Sequence, residues 1–355
     1  MRNVLITGGA GFIGSNLAIL LKRKYSNLNV MALDNLKRRG SELNIQRLVK
    51  SGVNFVHGDI RFESDLLNAG DFDLMIECSA EPSVLSGYNS APNYMLDTNL
   101  NGLINCLNVC KLKKSKIIFL SSSRVYPYDK LNQELFTEEE TRFTFAPVGQ
   151  SKLTKKGISE SYPLGGIRSL YGASKLSAEL IINEYANMYG LGAIINRCGV
   201  VAGPWQFGKV DQGVITHWVI AHHLLKPLSY IGYGGKGKQV RDILHIEDLF
   251  DAIDLQINNF NRCNHATFNI GGGIDVSTSL VELTELCQHV TGNTVSVSRL
   301  TEDRKADLRI YITDYSLFEN KMGWRPKRSV QSIVSDINQW IIKNSKQLQF
   351  FKFLT

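Results

Sequence analysis

Val4-Leu5-Ile6-Thr7-Gly8-Gly9-Ala10-Gly11-Phe12-Ile13-Gly14 reads as an apolar strand, a glycine turn and the start of a helix. Its glycines fall at the spacing G-x-x-G-x-x-G. Gly8 permits the tight turn, Gly11 lets backbone N–H groups approach a pyrophosphate, and Gly14 lets the helix lie close to the sheet with its N-terminus against negative charge. A lone glycine motif is weak, but Asp34 ends the next apolar run twenty residues past Gly14. An acid there accepts hydrogen bonds from the adenosine ribose of a dinucleotide and repels a 2′-phosphate, so NAD is expected over NADP. Lys37, Arg38 and Arg39 just downstream read as a solvated basic loop, although such a cluster can also meet a 2′-phosphate.

Working outward, short β-rich runs alternate with amphipathic helical stretches up to about residue 200. Strands are expected at Asn3 to Thr7, Asn29 to Leu33, Asn54 to His57, Leu74 to Cys78, Lys116 to Leu120 and Ala193 to Asn196. The class is α/β: a Rossmann-type doubly wound parallel sheet, followed by a smaller C-terminal α/β substrate-binding lobe. The expected division is a dinucleotide-binding domain over 1–200, with a returning segment at about 241–275, and a lobe over 201–240 and 276–355. Asp59, after the third strand, is placed to meet the adenine amino group or to cap a helix.

The 355 residues are 43% hydrophobic and 21% charged, enough for a sizeable core. A net charge of +7 spread along the chain suits anionic small molecules, and no basic stripe with interleaved aromatics points to nucleic acid. The six cysteines lack CxxC pairing, and His222-His223 would point apart on a helix, so no metal site is expected. Glycines and Asn16 interrupt the apolar N-terminal run, and no other stretch is apolar enough to span a bilayer. A cytoplasmic protein is expected.

Tyr171-Gly172-Ala173-Ser174-Lys175 opens a strongly helical stretch, so Tyr171 and Lys175 share one helix face. Ser121-Ser122-Ser123 ends the fifth strand, where ligands sit in such sheets. A phenol, with an ordinary pKa of about 10, takes up a proton poorly at neutral pH, but a neighbouring ammonium favours the phenolate. Tyr171 is then the base, Lys175 primes it and holds the nicotinamide ribose, and Ser122 hydrogen-bonds the same sugar oxygen.

From Val4 to about Trp324 the chain resembles the extended short-chain dehydrogenases/reductases of the nucleotide-sugar epimerase and dehydratase group. Within it, Asp211-Gln212-Gly213 and Gly237-Lys238-Gln239-Val240-Arg241-Asp242 are most similar to epimerases acting at C2 of a CDP-linked deoxyhexose. The resemblance implies Gly8, Gly11, Phe12, Ile13, Gly14, Asp34, Asn35, Asp59, Ile60, Ala80, Asn99, Ser121, Tyr171, Lys175 and Cys198 as NAD contacts. It implies Ser122, Tyr171 and Lys175 as catalysts, and Ser122, Gln206, Gln212, Gln239, Arg241, Arg304 and Asp307 as contacts to the sugar nucleotide. Guanidinium groups suit a diphosphate because each can bind two oxygens; otherwise Arg241 would pair with Asp242 or Glu247.

Dehydratases of the group carry Thr-Asp-Glu at the end of the fifth strand, where this chain has Ser122-Ser123-Arg124, so dehydration is disfavoured. A 4-epimerase of a UDP- or CDP-sugar uses the same three catalysts and stays open. A dehydratase, a decarboxylase or a non-catalytic NAD sensor fits less well, because a sensor gives no reason for a proton acceptor beside the nicotinamide. The helical stretches Asn93 to Cys110 and Gly172 to Tyr189 carry enough apolar surface for a homodimer or homotetramer contact, although core packing explains them equally.

Overall fold

The computed structural model describes residues 2–88, 91–146, 153–207 and 213–350. The chain divides into two compact units, Met1–Val125 with Ser169–Arg197 and Phe250–Phe268, and Tyr126–Arg168 with Cys198–Leu249 and Asn269–Thr355.

The first unit is built on β1 (Asn3–Thr7), β2 (Asn29–Asp34), β3 (Asn54–His57), β4 (Leu74–Glu77) and β5 (Lys116–Ser122), joined by strands Ala193–Cys198 and Ala266–Ile270. The sheet order is Ala266–Ile270, Ala193–Cys198, β5, β4, β1, β2, β3. The pairings β1 with β2, β1 with β4, β2 with β3 and β4 with β5 are parallel. Chain order reverses between β1 and β4, and the crevice beyond their C-terminal ends is where ligands bind in such sheets. Helices bury apolar faces against the sheet, so Leu5, Met75, Ile117, Phe119 and Ile195 share a core with Leu107 and Ile182. That double covering explains why β4 and Ala193–Cys198 are buried at every residue.

The six strands expected from the sequence form within two residues of their expected ends; Ala266–Ile270 is a seventh. Helix Leu170–Tyr189 begins where the Ser169 side chain accepts from Gly172 N at 3.2 Å, and it stops at Gly190, whose φ of 66° is left-handed. The stretch at 93–113 is broken: Asn93–Leu96 is α, Asp97–Asn101 is a π turn, and Gly102–Lys113 is α again.

In the second unit, Val240–His245 pairs antiparallel with Ser277–Ser279 and parallel with Ile310–Tyr311 and Val200–Ala202. The segment 126–168, read from the sequence as part of the first domain, belongs to this unit. The reason is packing. Its hairpin Phe136–Glu138 with Phe143–Phe145 places Phe143 on Val240, Ile310 and Ile312, and Arg142 pairs with Glu282 at 2.5 Å. Gln212 and residues 351–355 lie outside the described residues. Among those described, no helix is long and apolar enough to cross a membrane.

Candidate active site

The glycine turn at the end of β1 is packed to the limit of its backbone. A Cβ on Gly14 would lie 2.3 Å from the Gly8 carbonyl oxygen, and one on Gly8, where φ is 61°, would lie 2.9 Å from the Cys78 carbonyl carbon. Helix α1 (Phe12–Lys24) starts at Gly11 with no side-chain cap and no acid in its first turn, and Phe12 and Ile13 open it half-buried. Its first N–H groups therefore suit an anion.

Asp34 braces this turn from β2, its Oδ2 accepting from Ala10 N at 3.0 Å and its Oδ1 from Leu36 N at 2.8 Å. Burial pushes its carboxyl up from the ordinary value, against the backbone donors Leu36, Ala10 and Gly11. Beyond β3, burial also pushes Asp59 up, but Arg61 and Asn35 outweigh it and hold the carboxyl below the usual range. Arg61 Nη2 donates to Asp59 Oδ2 at 2.7 Å and Asn35 Nδ2 donates to it at 2.8 Å. Asp59 is not a helix N-cap, since the next helix, Glu63–Asn68, is preceded by Phe62 in that position. Lys37 lies over the Tyr94 ring at 5.4 Å and Arg61 over the same ring at 4.9 Å, so the basic stretch is partly packed rather than wholly solvated. Ile60 is buried and its carbonyl accepts from Asn105.

Ala80 follows β4, and the next residue, Glu81, is tied to Asn99: Glu81 N donates to Asn99 Oδ1 at 2.8 Å, and Asn99 Nδ2 donates to Glu81 O at 3.2 Å. Asn99 sits on the π turn, a widening that often marks functional positions. Its Nδ2 also reaches Ser174 Oγ at 3.2 Å, which connects the β4 loop to the helix carrying Tyr171 and Lys175.

Tyr171 and Lys175 occupy the first turns of Leu170–Tyr189, both buried, with Tyr171 at the margin at 9% exposure. Lys175 Nζ donates to the Leu120 carbonyl on β5 at 3.0 Å and lies 4.4 Å from the centre of the Phe119 ring. Ser122, at the end of the same strand, is half-buried and accepts from Arg124 N at 3.2 Å. Ser121 turns inward instead, donating to Glu179 Oε1 at 2.5 Å, while Arg197 pairs with the same carboxylate at 2.7 Å. Its hydroxyl proton therefore goes to the core. Cys198 is buried at the end of Ala193–Cys198.

In the second unit, Arg241 Nη2 donates to Asp307 Oδ1 at 2.7 Å and also to the Leu308 carbonyl. Its carboxylate partner is thus neither Asp242, which accepts from Gly272 and Gly273, nor Glu247, which pairs with Arg328. Gln206 is held between the Val201 carbonyl and the Thr216 hydroxyl. Gln239 donates to the Ile231 carbonyl while its Oε1 is buried without a hydrogen-bond partner. Arg304 and Arg299 line an open cleft of about 450 Å³ with Ile231 and Leu300.

The model of the NAD dependent epimerase/dehydratase family matches residues 4–271. The chain belongs to that family. Among characterised relatives, it is 31% identical to CDP-paratose 2-epimerase of Salmonella typhi over 95% of this chain and 98% of that one. Among solved structures, UDP-glucose 4-epimerase from Thermotoga maritima, with UDP-glucose, superposes with a TM-score of 0.78 at 25% identity, covering 97% of this chain and all of that one. The NAD complex of dTDP-glucose 4,6-dehydratase from Bacillus anthracis gives 0.79 at 25% identity over 99% of this chain and all of that one. The protein is an NAD-dependent enzyme of the extended short-chain dehydrogenase/reductase type, with epimerase relatives. Its own residues fit the cofactor: a glycine cradle that a single Cβ would fill, an uncapped helix N-terminus, and Asp34 at the end of β2.

Sequence reading missed three partners here: Arg61 for Asp59, Glu179 for Ser121, and Glu77, a buried acid close to Lys175. Only Glu77 left a visible signal, as a charge closing the apolar run Leu74-Met75-Ile76.

Proposed function

We propose that the protein inverts C2 of a CDP-linked deoxyhexose through a transient ketone. Similarity to CDP-paratose 2-epimerase along nearly the whole chain supports C2 and a CDP-sugar, and Ser122-Ser123-Arg124 at the end of β5 supports epimerisation, because it offers no acid pair for removing water. Bound NAD supplies reversible oxidation at one sugar carbon. Gly8, Gly11, Phe12, Ile13 and Gly14 would hold its pyrophosphate, Asp34 and Asn35 its adenosine ribose, Asp59 and Ile60 its adenine, with Ala80, Asn99 and Cys198 as further contacts.

Tyr171 accepts the proton of the sugar hydroxyl as its carbon is oxidised and returns it when the carbon is reduced. Lys175 favours the phenolate by its charge, and Ser122 donates a hydrogen bond to the same oxygen, steadying it through both half-reactions. Arg304 and Arg299 suit the substrate diphosphate by paired N–H donation. Arg241 and Asp307, already locked together, would meet the sugar nucleotide, as would Gln206, Gln212 and Gln239. The exposed Leu112, Leu180 and Met188, on helices Gly102–Lys113 and Leu170–Tyr189, suit a homodimer or homotetramer contact in the cytoplasm.

The similarity to UDP-glucose 4-epimerases supports a second reading, inversion at C4 of a UDP- or CDP-sugar. Incubation with CDP-paratose, CDP-tyvelose and a set of UDP-hexoses, followed by NMR at C2 and C4, separates the two. Interconversion of the two CDP-sugars, with the UDP-hexoses unchanged, is expected. Inversion of a UDP-hexose at C4, or a stable keto or dehydrated product, would reject the C2 reading.

A further inference from the structure

Glu77 closes β4 as a carboxylate with 1% exposure, and the reaction as derived does not touch it. One oxygen is fixed: Oε1 accepts from Ser79 N at 2.8 Å and from the Thr7 hydroxyl of β1 at 3.4 Å. The other, Oε2, is buried with no hydrogen-bond partner and lies 3.9 Å from Lys175 Nζ. The lysine side chain is itself only 3% exposed, and the hydrogen bond found for its ammonium is the one to Leu120 O. A buried ammonium held by a carbonyl and a ring face tends to shed its proton unless an opposite charge stands near it. Without its proton, Lys175 could not favour a phenolate on Tyr171.

We propose that Glu77 is the counter-charge that keeps Lys175 charged and aimed, which makes it a positioning residue for the Tyr171 and Lys175 pair. Among the described residues, Lys175 faces it from helix Leu170–Tyr189, Thr7 from β1, Ser79 from the loop after β4, and Cys106 from helix Gly102–Lys113; burial, with Glu77 adding to it, pushes the Cys106 thiol well up, so it brings no charge. Burial likewise pushes the Glu77 carboxyl above its ordinary value, and Lys175 pulls it back, so the two side chains share one electrostatic balance. Such coupling is reciprocal, so what Lys175 does to Glu77 measures what Glu77 does to Lys175.

The inference rests on reading Tyr171 and Lys175 as the catalytic couple, and its test separates the two. Carboxyl carbon NMR of the NAD-loaded protein, with the Glu77 signal assigned by its absence in Glu77→Asp, follows the ionisation of Glu77 directly. Glu77 should titrate above the usual carboxylate range yet be ionised at the pH of maximal activity. In Lys175→Met its midpoint should rise by about one unit or more, the scale of an opposite charge removed from within about 4–6 Å. Glu77→Gln keeps the shape and an acceptor for Ser79. It should lower kcat roughly 10-fold with KM little changed and bring the alkaline limb of the pH profile to lower pH, while Glu77→Asp should return that limb. A Glu77 midpoint indifferent to Lys175→Met, or a carboxyl still protonated at the pH of maximal activity, would overturn the proposal, and both are read even if Glu77→Gln fails to fold. Full activity in Tyr171→Phe would instead sink the catalytic couple and leave the measured charge coupling standing.

Discussion

Gly14→Ala is expected to strip NAD from the protein. The new Cβ would sit 2.3 Å from the Gly8 carbonyl oxygen and 2.9 Å from the Gly9 Cα, and both are backbone atoms that no side-chain rotation can move aside. The strain must go into the turn or into the start of α1, the two features that would meet the pyrophosphate. Overpacking of this kind costs about 1–3 kcal/mol, equivalent to about 5- to 150-fold in affinity if the turn bears all of it. Bound NAD per protomer, measured with the melting temperature, reads the effect. Gly165→Ala is the control, since open space surrounds its Cβ position, and it should leave both quantities unchanged. Full NAD occupancy in Gly14→Ala would mean that the turn is not the cofactor cradle.

Tyr171→Phe is expected to abolish turnover while NAD stays bound. The phenyl ring fills the same buried place at the start of Leu170–Tyr189, and the hydrogen bond from the Ser174 hydroxyl to the Tyr171 carbonyl is untouched. Only the proton acceptor is removed. Loss of a general base costs typically 10²- to 10⁴-fold, so kcat should fall by about that factor, with NAD content and melting temperature near the parent values. Activity within a few-fold of the parent would remove Tyr171 from the chemistry.

Most of the sheet was readable because β1, β2, β4, β5 and the start of Ala193–Cys198 are apolar runs closed by a glycine, an acid or a polar turn, a pattern that double burial demands, whereas the edge strand β3 is exposed at both ends. Ala266–Ile270 escaped notice because Thr267 and Asn269 interrupt its apolar residues, and it forms against a partner distant in sequence. The same limit applies to side-chain partners. Tyr171, Lys175 and Asn99 can be found by spacing or resemblance, whereas the pairing of Arg241 with Asp307 spans 66 residues and depends on how Val240–His245 lies beside Ile310–Tyr311. Charge alone pointed to the sequence neighbours Asp242 and Glu247, and backbone donors and Arg328 had already claimed those. The partner of Ser121 was hidden for a similar reason: the side chains of a strand alternate, so of two adjacent serines one faces the core, where Glu179 waits.

The most direct measurement uses a CDP-sugar substrate deuterated at C2 and turned over in ordinary water. If Tyr171 handles only the hydroxyl proton while the carbon-bound hydrogen leaves for NAD and returns, the epimerised product keeps its deuterium. Replacement of that deuterium by solvent hydrogen would show a base removing the carbon-bound proton, and would contradict oxidation and return at a retained cofactor.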